Sequence, residues 1–203
     1  MDESQLSMKK ILFGTNNLNK LEEIRAIVPE GYEVVSLQDI GLDMEVEETE
    51  LTLEGNAWLK AEAYFMASGI PCFADDTGLE VAALNGEPGV FSARWAGDTC
   101  SYQDNVDKML REMDGQEDRN AAFRTVIAWA DGGPPKFFDG VAPGTITEEV
   151  RGIGGFGYDP VFLPEGKSET FAEMSPSDKH AISHRGKAVR LFIEFLQQQV
   201  NAN

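Results

Sequence analysis

Apolar residues recur along the chain at strand-like and helix-like spacings in turn. The run Lys10–Thr15 (KILFGT) predicts a short buried strand. Asn16-Asn17-Leu18-Asn19 supplies turn and cap residues, and the spacing of Leu21, Ile24 and Ile27 predicts a helix ending before Pro29. Glu33–Leu37 predicts the next strand. Leu53–Ser68, with Leu59, Ala63 and Met66 at helical spacing and Gly69 behind it, predicts a second helix. Pro71–Ala74 reads as a strand that delivers Asp75-Asp76-Thr77-Gly78 to its end. Tyr102–Met113 is amphipathic through Val106, Met109, Leu110 and Met113, Ala122–Ala130 alternates as a strand, and Lys136–Thr147 continues in strand-and-turn style. Ser175-Pro176-Ser177-Asp178 is a helix start, and Val189, Phe192, Ile193, Leu196 and Val200 mark a C-terminal helix. Strands interleave with helices, so the class is α/β with a mixed sheet. No repeat or Pro/Ser-rich linker interrupts the pattern. One domain is therefore expected over 9–203, after a polar extension at 1–8 in which Met8 is an alternative start.

Charge narrows the function classes. Seventeen Lys and Arg face 35 Asp and Glu, a net charge of −18. That field repels nucleic acid and anionic membrane, so neither is expected as a partner. It repels phosphorylated small molecules too, unless a metal or a local basic cluster reverses it. No run approaches the ~18 apolar residues of a membrane span. MDESQLSMKK lacks the positive start of a signal peptide, so a cytoplasmic location is expected. Cys72 and Cys100, far apart and outside any metal-binding spacing, read as reduced thiols.

Three constellations can carry chemistry. Thr15-Asn16-Asn17-Leu18-Asn19-Lys20 joins a strand to a helix, where unpaired N–H groups and Lys20 suit a phosphate; plain N-capping by Asn explains the same residues. Residues 22–54 hold eleven acids against one base, Arg25, mostly a solvated face. Asp75-Asp76 differs, because the apolar run CFA leads into it: adjacent carboxylates at a strand end suit a hard cation and a general base, or a capped turn. Third, residues 179–193 carry Lys179, Arg185, Lys187 and Arg190 with no acid, and Lys179, His184 and Arg185 can grip a phosphate or a polar base edge. Two motifs mislead. Gly152-x-Gly154-x-x-Gly157 has dinucleotide-binding spacing, but Tyr158-Asp159-Pro160 follows where a helix should start. His180 and His184 have zinc-like i,i+4 spacing on a predicted helix, with no further ligand nearby.

Taken together, these residues resemble the Ham1-like inosine triphosphate pyrophosphatase family over about residues 9–197. The carriers are Thr15-x-Asn17-x-x-Lys20, Glu47-Glu48-Thr49, Asn56-Ala57 with Lys60, Phe73–Leu79 (FADDTGL), Pro88–Arg94 (PGVFSAR), Gly154–Pro160 (GGFGYDP), and Lys179 with Ser183-His184-Arg185-Gly186. The resemblance implies an elongated two-lobed fold with a central nucleotide cleft, a homodimer, Mg²⁺, and cleavage of ITP, dITP and XTP to monophosphate and pyrophosphate. It implies that Thr15 to Lys20, with Lys60 and Arg94, hold the triphosphate, and that Thr77 also binds the substrate. Glu47 or Glu48 with Asp76 would hold the metal, and Asp76, supported by Asp75, would activate water. Phe156, Gly157, Tyr158, Asp159, Lys179, His184 and Arg185 would form the base pocket, with Phe156 stacking.

Three positions depart from the family pattern: Asn16 stands where many relatives have Gly, Gly55 where Glu is common, and Thr77 where many bacterial relatives have Ser. Rival readings are a Maf-like pyrophosphatase, an aspartyl-phosphate phosphatase, for which the DDTG spacing is wrong, and a nucleotide sensor that does not hydrolyse.

Overall fold

The apolar run after Met8 forms β1 (Lys9–Phe13), and the elements that follow are α1 (Leu18–Arg25), β2 (Tyr32–Ser36), α2 (Leu53–Ser68), β3 (Cys72–Val81), β4 (Pro88–Gly89), α3 (Tyr102–Glu112), β5 (Asn120–Ala130), β6 (Lys136–Ile146), β7 (Phe162–Pro164), α4 (Pro176–Ile182) and α5 (His184–Asn201). This computed structural model describes residues 8–201; apart from Met8, the extension expected at 1–8 lies outside the described residues. The strand order is β2-β1-β3-β5-β6-β7, with β4 on β3. β1 pairs in parallel with β2 and β3, whereas β6–β7 and β3–β4 are antiparallel, so the sheet is mixed as expected.

The chain divides into two compact units: residues up to Asp76 with Val126–Phe138 and the chain from Val189, and Thr77–Thr125 with Asp139–Ala188. The first unit packs α2 on β1 through Leu12, Val35, Leu37, Tyr64 and Cys72. Its aromatic layer stacks Phe13 on Phe73 at 4.3 Å, with Phe192 against Phe73 at 4.5 Å. Such ring pairs add about 0.5–1.5 kcal/mol beyond their burial. In the second unit Val106 and Met109 of α3 and Met113 at its C-cap pack with Phe123, Phe162 and Phe171, the stripe that the amphipathic spacing predicts. Both cysteines are free, and burial pushes the Cys72 thiol up to about 12, which keeps it protonated and inert. No helix among the described residues is long and apolar enough to cross a membrane.

Several local expectations change. α2 starts and ends where predicted, capped by the Thr52 hydroxyl and by Gly69 in the left-handed region at φ 69°. Its buried face, however, is Leu53, Ala57, Ala61 and Tyr64, and Met66 is 76% exposed. The helix is apolar nearly all round, so spacing alone cannot choose its stripe; small Ala57 and Ala61 allow closer approach than Leu59. α1 stops at Arg25, leaving Ile27 exposed. β3 does not end at Ala74 but runs on to Val81, so Asp75 and Asp76 lie inside a strand. Gly152 to Gly157 is a loop followed by a 3₁₀ turn at Asp159–Val161, which removes the dinucleotide-binding reading. Ser183, extended at ψ 155°, separates α4 from α5, so His180 and His184 do not share a helix face.

Candidate active site

In the first unit, β1 ends beside β3 at Phe13–Phe73, and the chain turns away through Gly14. The Gly14 N–H donates to Phe73 O at 2.8 Å, and a Cβ at Gly14 would lie 2.6 Å from the Tyr64 ring. Only glycine lets the strand end pass under α2 there. Thr15 Oγ1 accepts the Asn17 N–H, and Asn17 Oδ1 accepts the Lys20 N–H at 3.3 Å, so Asn17 caps α1. Asn16 and Leu18 are exposed; Asn16 has no positive φ, so its replacement of Gly forces no strain. The Asn19 side chain lies outside the described residues.

Beyond Phe73, β3 no longer has β1 beside it, and there the acids appear. Successive strand side chains point to opposite faces. Accordingly, the Asp75 carboxylate is bonded to Lys20 and the Asp76 carboxylate lies beside Lys60. Lys20 Nζ bonds Asp75 Oδ2 at 2.7 Å, which ties the ammonium down beside the strand end. Lys60 Nζ bonds Glu48 Oε1 at 2.5 Å and Asp75 O at 2.8 Å, and lies 3.8 Å from Asp76 Oδ1. Burial alone would push the Lys60 ammonium down, but the surrounding Asp76, Asp75 and Glu48 carboxylates outweigh it and hold the group above its ordinary value.

The acidic segment before α2 alternates. Ile40, Leu42, Met44 and Val46 pack inward, which puts Glu48 on the inner side, whereas Glu47 is exposed. Asn56, buried on α2, holds this segment by accepting the Glu50 N–H at 2.9 Å and donating to Glu50 O at 3.2 Å. A Cβ at Gly55 would lie 2.7 Å from Glu50 Cβ, so glycine there makes room for the Glu50 side chain.

Thr15, Asn16, Lys20, Glu48, Lys60 and Asp75 line one cavity of about 260 Å³, together with Gly14, Glu45, Val46 and Tyr64. The last four escaped the sequence reading; a glycine lodged between a strand and a cap was the available signal for Gly14. Among the described residues no group of three or more His, Cys, Asp or Glu forms a metal cage, so the set Glu47, Glu48 and Asp76 is not assembled as one. Glu48 and Asp76 nevertheless both lie within 4 Å of the Lys60 ammonium. Two hard carboxylates around a point of positive charge fit Mg²⁺, which binds one or two carboxylates and completes its shell with water and phosphate oxygens.

In the second unit, Asp159 organises the glycine loop. Buried, it accepts the Phe156 N–H at 2.8 Å and Lys179 Nζ at 2.5 Å, and a Cβ at Gly155 would strike its carboxylate. The Phe156 ring is 52% exposed, with Lys179 Nζ 4.8 Å and the Arg185 guanidinium 5.9 Å from its centroid. An exposed ring flanked by two cations is a platform for a flat, electron-rich heterocycle. Tyr158 is placed otherwise. Tyr158 is buried in the core and its hydroxyl donates to Ser92 O at 2.9 Å, leaving only its backbone for a ligand. The His184 ring stacks on Phe123 at 4.6 Å. The Ser183 hydroxyl accepts the Gly186 N–H, and a side chain at Gly186 would meet His180 O, which explains the Ser-His-Arg-Gly spacing as a helix start. Thr77 Oγ1 is 2.7 Å from Thr125 Oγ1, and the Arg94 guanidinium lies over Phe91 at 5.6 Å. Gly157 has φ 60°.

Comparison with known proteins shows the family and the fold. Residues 11–195 match the Ham1 family. The dITP/XTP pyrophosphatase of Flavobacterium psychrophilum is 49% identical over 188 residues, 93% of this chain and 99% of that protein. That of Porphyromonas gingivalis is 51% identical over 190 residues, 93% and 98% of the two chains. The structure of the Staphylococcus aureus Ham1 protein superposes with a TM-score of 0.90 at 40% identity, covering 94% of this chain and 100% of that one. With the same mixed-sheet α/β fold and matches over nearly its whole length, this chain belongs to the Ham1 family.

Proposed function

We propose that this protein is a nucleoside triphosphate pyrophosphatase that hydrolyses dITP, ITP and XTP to the monophosphate and pyrophosphate, clearing non-canonical purines from the nucleotide pool. The observation that carries this reading is the cavity lined by Lys20, Lys60, Asp75 and Glu48, in which Lys20 is ion-paired to Asp75 and Lys60 to Glu48, while Asp76, outside the lining, lies 3.8 Å from the Lys60 ammonium. Those pairs neutralise the acids locally and place cations where an acidic protein must accept a polyanion. Residues 9–203 act as one catalytic domain, as a cytoplasmic homodimer.

The roles follow from the chemistry of the groups. Thr15 to Lys20 offer a helix N-terminus and an ammonium to the phosphate oxygens, with Lys60 and Arg94 assisting. Glu48 and Asp76 would hold Mg²⁺, which when bound neutralises charge on the phosphates. Asp76 accepts a proton from water as its oxygen bonds the α-phosphorus, and the bond from that phosphorus to the bridging oxygen breaks to release pyrophosphate. Asp75, tied to Lys20, orients that cation. Phe156 stacks on the base, and Lys179 and Arg185 read its 6-keto edge. Adenine presents a donor there and leaves those donors unmatched, which penalises dATP.

Phosphorus NMR of dITP with the protein and Mg²⁺, with dATP in parallel, tests the reading. Pyrophosphate and dIMP are expected, with dATP largely intact. Orthophosphate would indicate a phosphatase, and tight binding without product a sensor. Arg185→Ala should raise KM for dITP by about tenfold, as loss of one charged hydrogen bond implies, and for dATP by much less. Equal losses on both nucleotides would remove Arg185 from base reading.

A further inference from the structure

Residues 90–97 form consecutive turns, whose backbone polar groups no sheet or helix ladder satisfies. Arg94 sits in the middle of them. Asn105, on α3 and 1% exposed, accepts the Ala96 N–H at 2.8 Å and donates to Ala93 O at 3.1 Å, gripping the chain on both sides of Arg94. The Cys100 thiol adds a contact to the same Oδ1 at 3.4 Å. One turn along α3, Lys108 Nζ donates to Trp95 O at 2.7 Å. From the other side Ser92 Oγ accepts the Leu79 N–H and donates to Gly89 O. Of these groups Asn105 is the one whose side chain bridges Arg94, and the bridge needs a donor and an acceptor on one short side chain. Aspartate keeps the acceptor alone, and leucine has neither.

We infer that Asn105 is a positioning residue for Arg94, setting the direction in which its guanidinium approaches the triphosphate. The inference rests on the proposed pyrophosphatase function and adds to it a residue that no substrate touches. A misplacement of about 1 Å can cost up to ~10²-fold.

The test is a double-mutant cycle of Arg94→Ala and Asn105→Ala, assayed on dITP with Mg²⁺ and followed by thermal melts. Asn105→Ala should raise KM about tenfold with a smaller change in kcat. In the Arg94→Ala background it should change KM less than about twofold. Its effect on Tm should be the same in both backgrounds, because packing does not depend on Arg94. Asn105→Asp, which retains an acceptor for the Ala96 N–H, should fall between wild type and Asn105→Ala in KM. A full KM defect from Asn105→Ala when Arg94 is already absent overturns the inference, as does a fall in Tm with KM unchanged. Wild-type protein that leaves dITP intact overturns the pyrophosphatase function itself. A normal KM in Arg94→Ala removes Arg94 from the substrate, and the role of Asn105 with it.

Discussion

Replacing Asp76 with asparagine is expected to lower kcat on dITP by about 10²–10⁴-fold, the range general-base catalysis supplies, while the fold persists. Asparagine has the shape of aspartate but cannot take a proton from the attacking water. The structural loss is small, because the Lys60 ammonium is 3.8 Å from Asp76 but makes its close bonds to Glu48 and to the Asp75 carbonyl. Single-turnover kinetics beside circular-dichroism melts make the comparison. A variant that turns over at near wild-type rate sinks the assignment of Asp76 as the base.

The second large effect belongs to Lys60→Met. Methionine fills the same channel but leaves Glu48 and Asp76 facing each other without their shared cation. Breaking a fully buried pair costs about 3–5 kcal/mol; with Glu48 still 29% exposed, about 2 kcal/mol is expected, or roughly 5 °C in Tm for a chain of this size. Mg²⁺ should restore more stability to the variant than it adds to wild type, because a divalent ion replaces the missing ammonium. The pH dependence has a definite sign. The folded pKa of Lys60 lies above its ordinary 10.5, so its contribution is complete below that pH and disappears as pH rises through the folded value. The gap between wild type and variant should therefore be flat at neutral pH and close only under alkaline conditions. A gap that closes instead between pH 5 and 8, or a variant indifferent to Mg²⁺, would show that Lys60 is not the group neutralising these acids.

Local chemistry decided which parts of this architecture could be read in advance. Caps and breaks act over three or four residues, so Ser175 before α4, Gly69 after α2, and the stripe on α3 were all visible. The β3 boundary was not. Asp-Asp-Thr-Gly has turn composition, but burial and pairing carry the strand through it to Val81. The buried stripe of α2 was hidden for another reason: a helix with apolar residues on most sides takes its orientation from what it packs on, and the face it buries carries Ala57 and Ala61. Glu47 and Glu48 could not be separated until the alternation from Ile40 to Val46 set which of them turns inward.

By itself the sequence determined the order of the longer elements, the α/β class and the residue types able to handle a polyphosphate, because periodicity, capping and charge are properties of neighbours along the chain; the short strands β4 and β7 were not among them. Tertiary structure alone decided the partnerships. Lys20 reaches across 55 positions to Asp75 and Lys60 across 12 to Glu48. The Tyr158 hydroxyl is committed to a core hydrogen bond with Ser92 O, and the His184 ring stacks on Phe123 of another element. Such pairings depend on which strand ends beside which. They are set by the burial of distant apolar faces, and no local pattern of side chains encodes them.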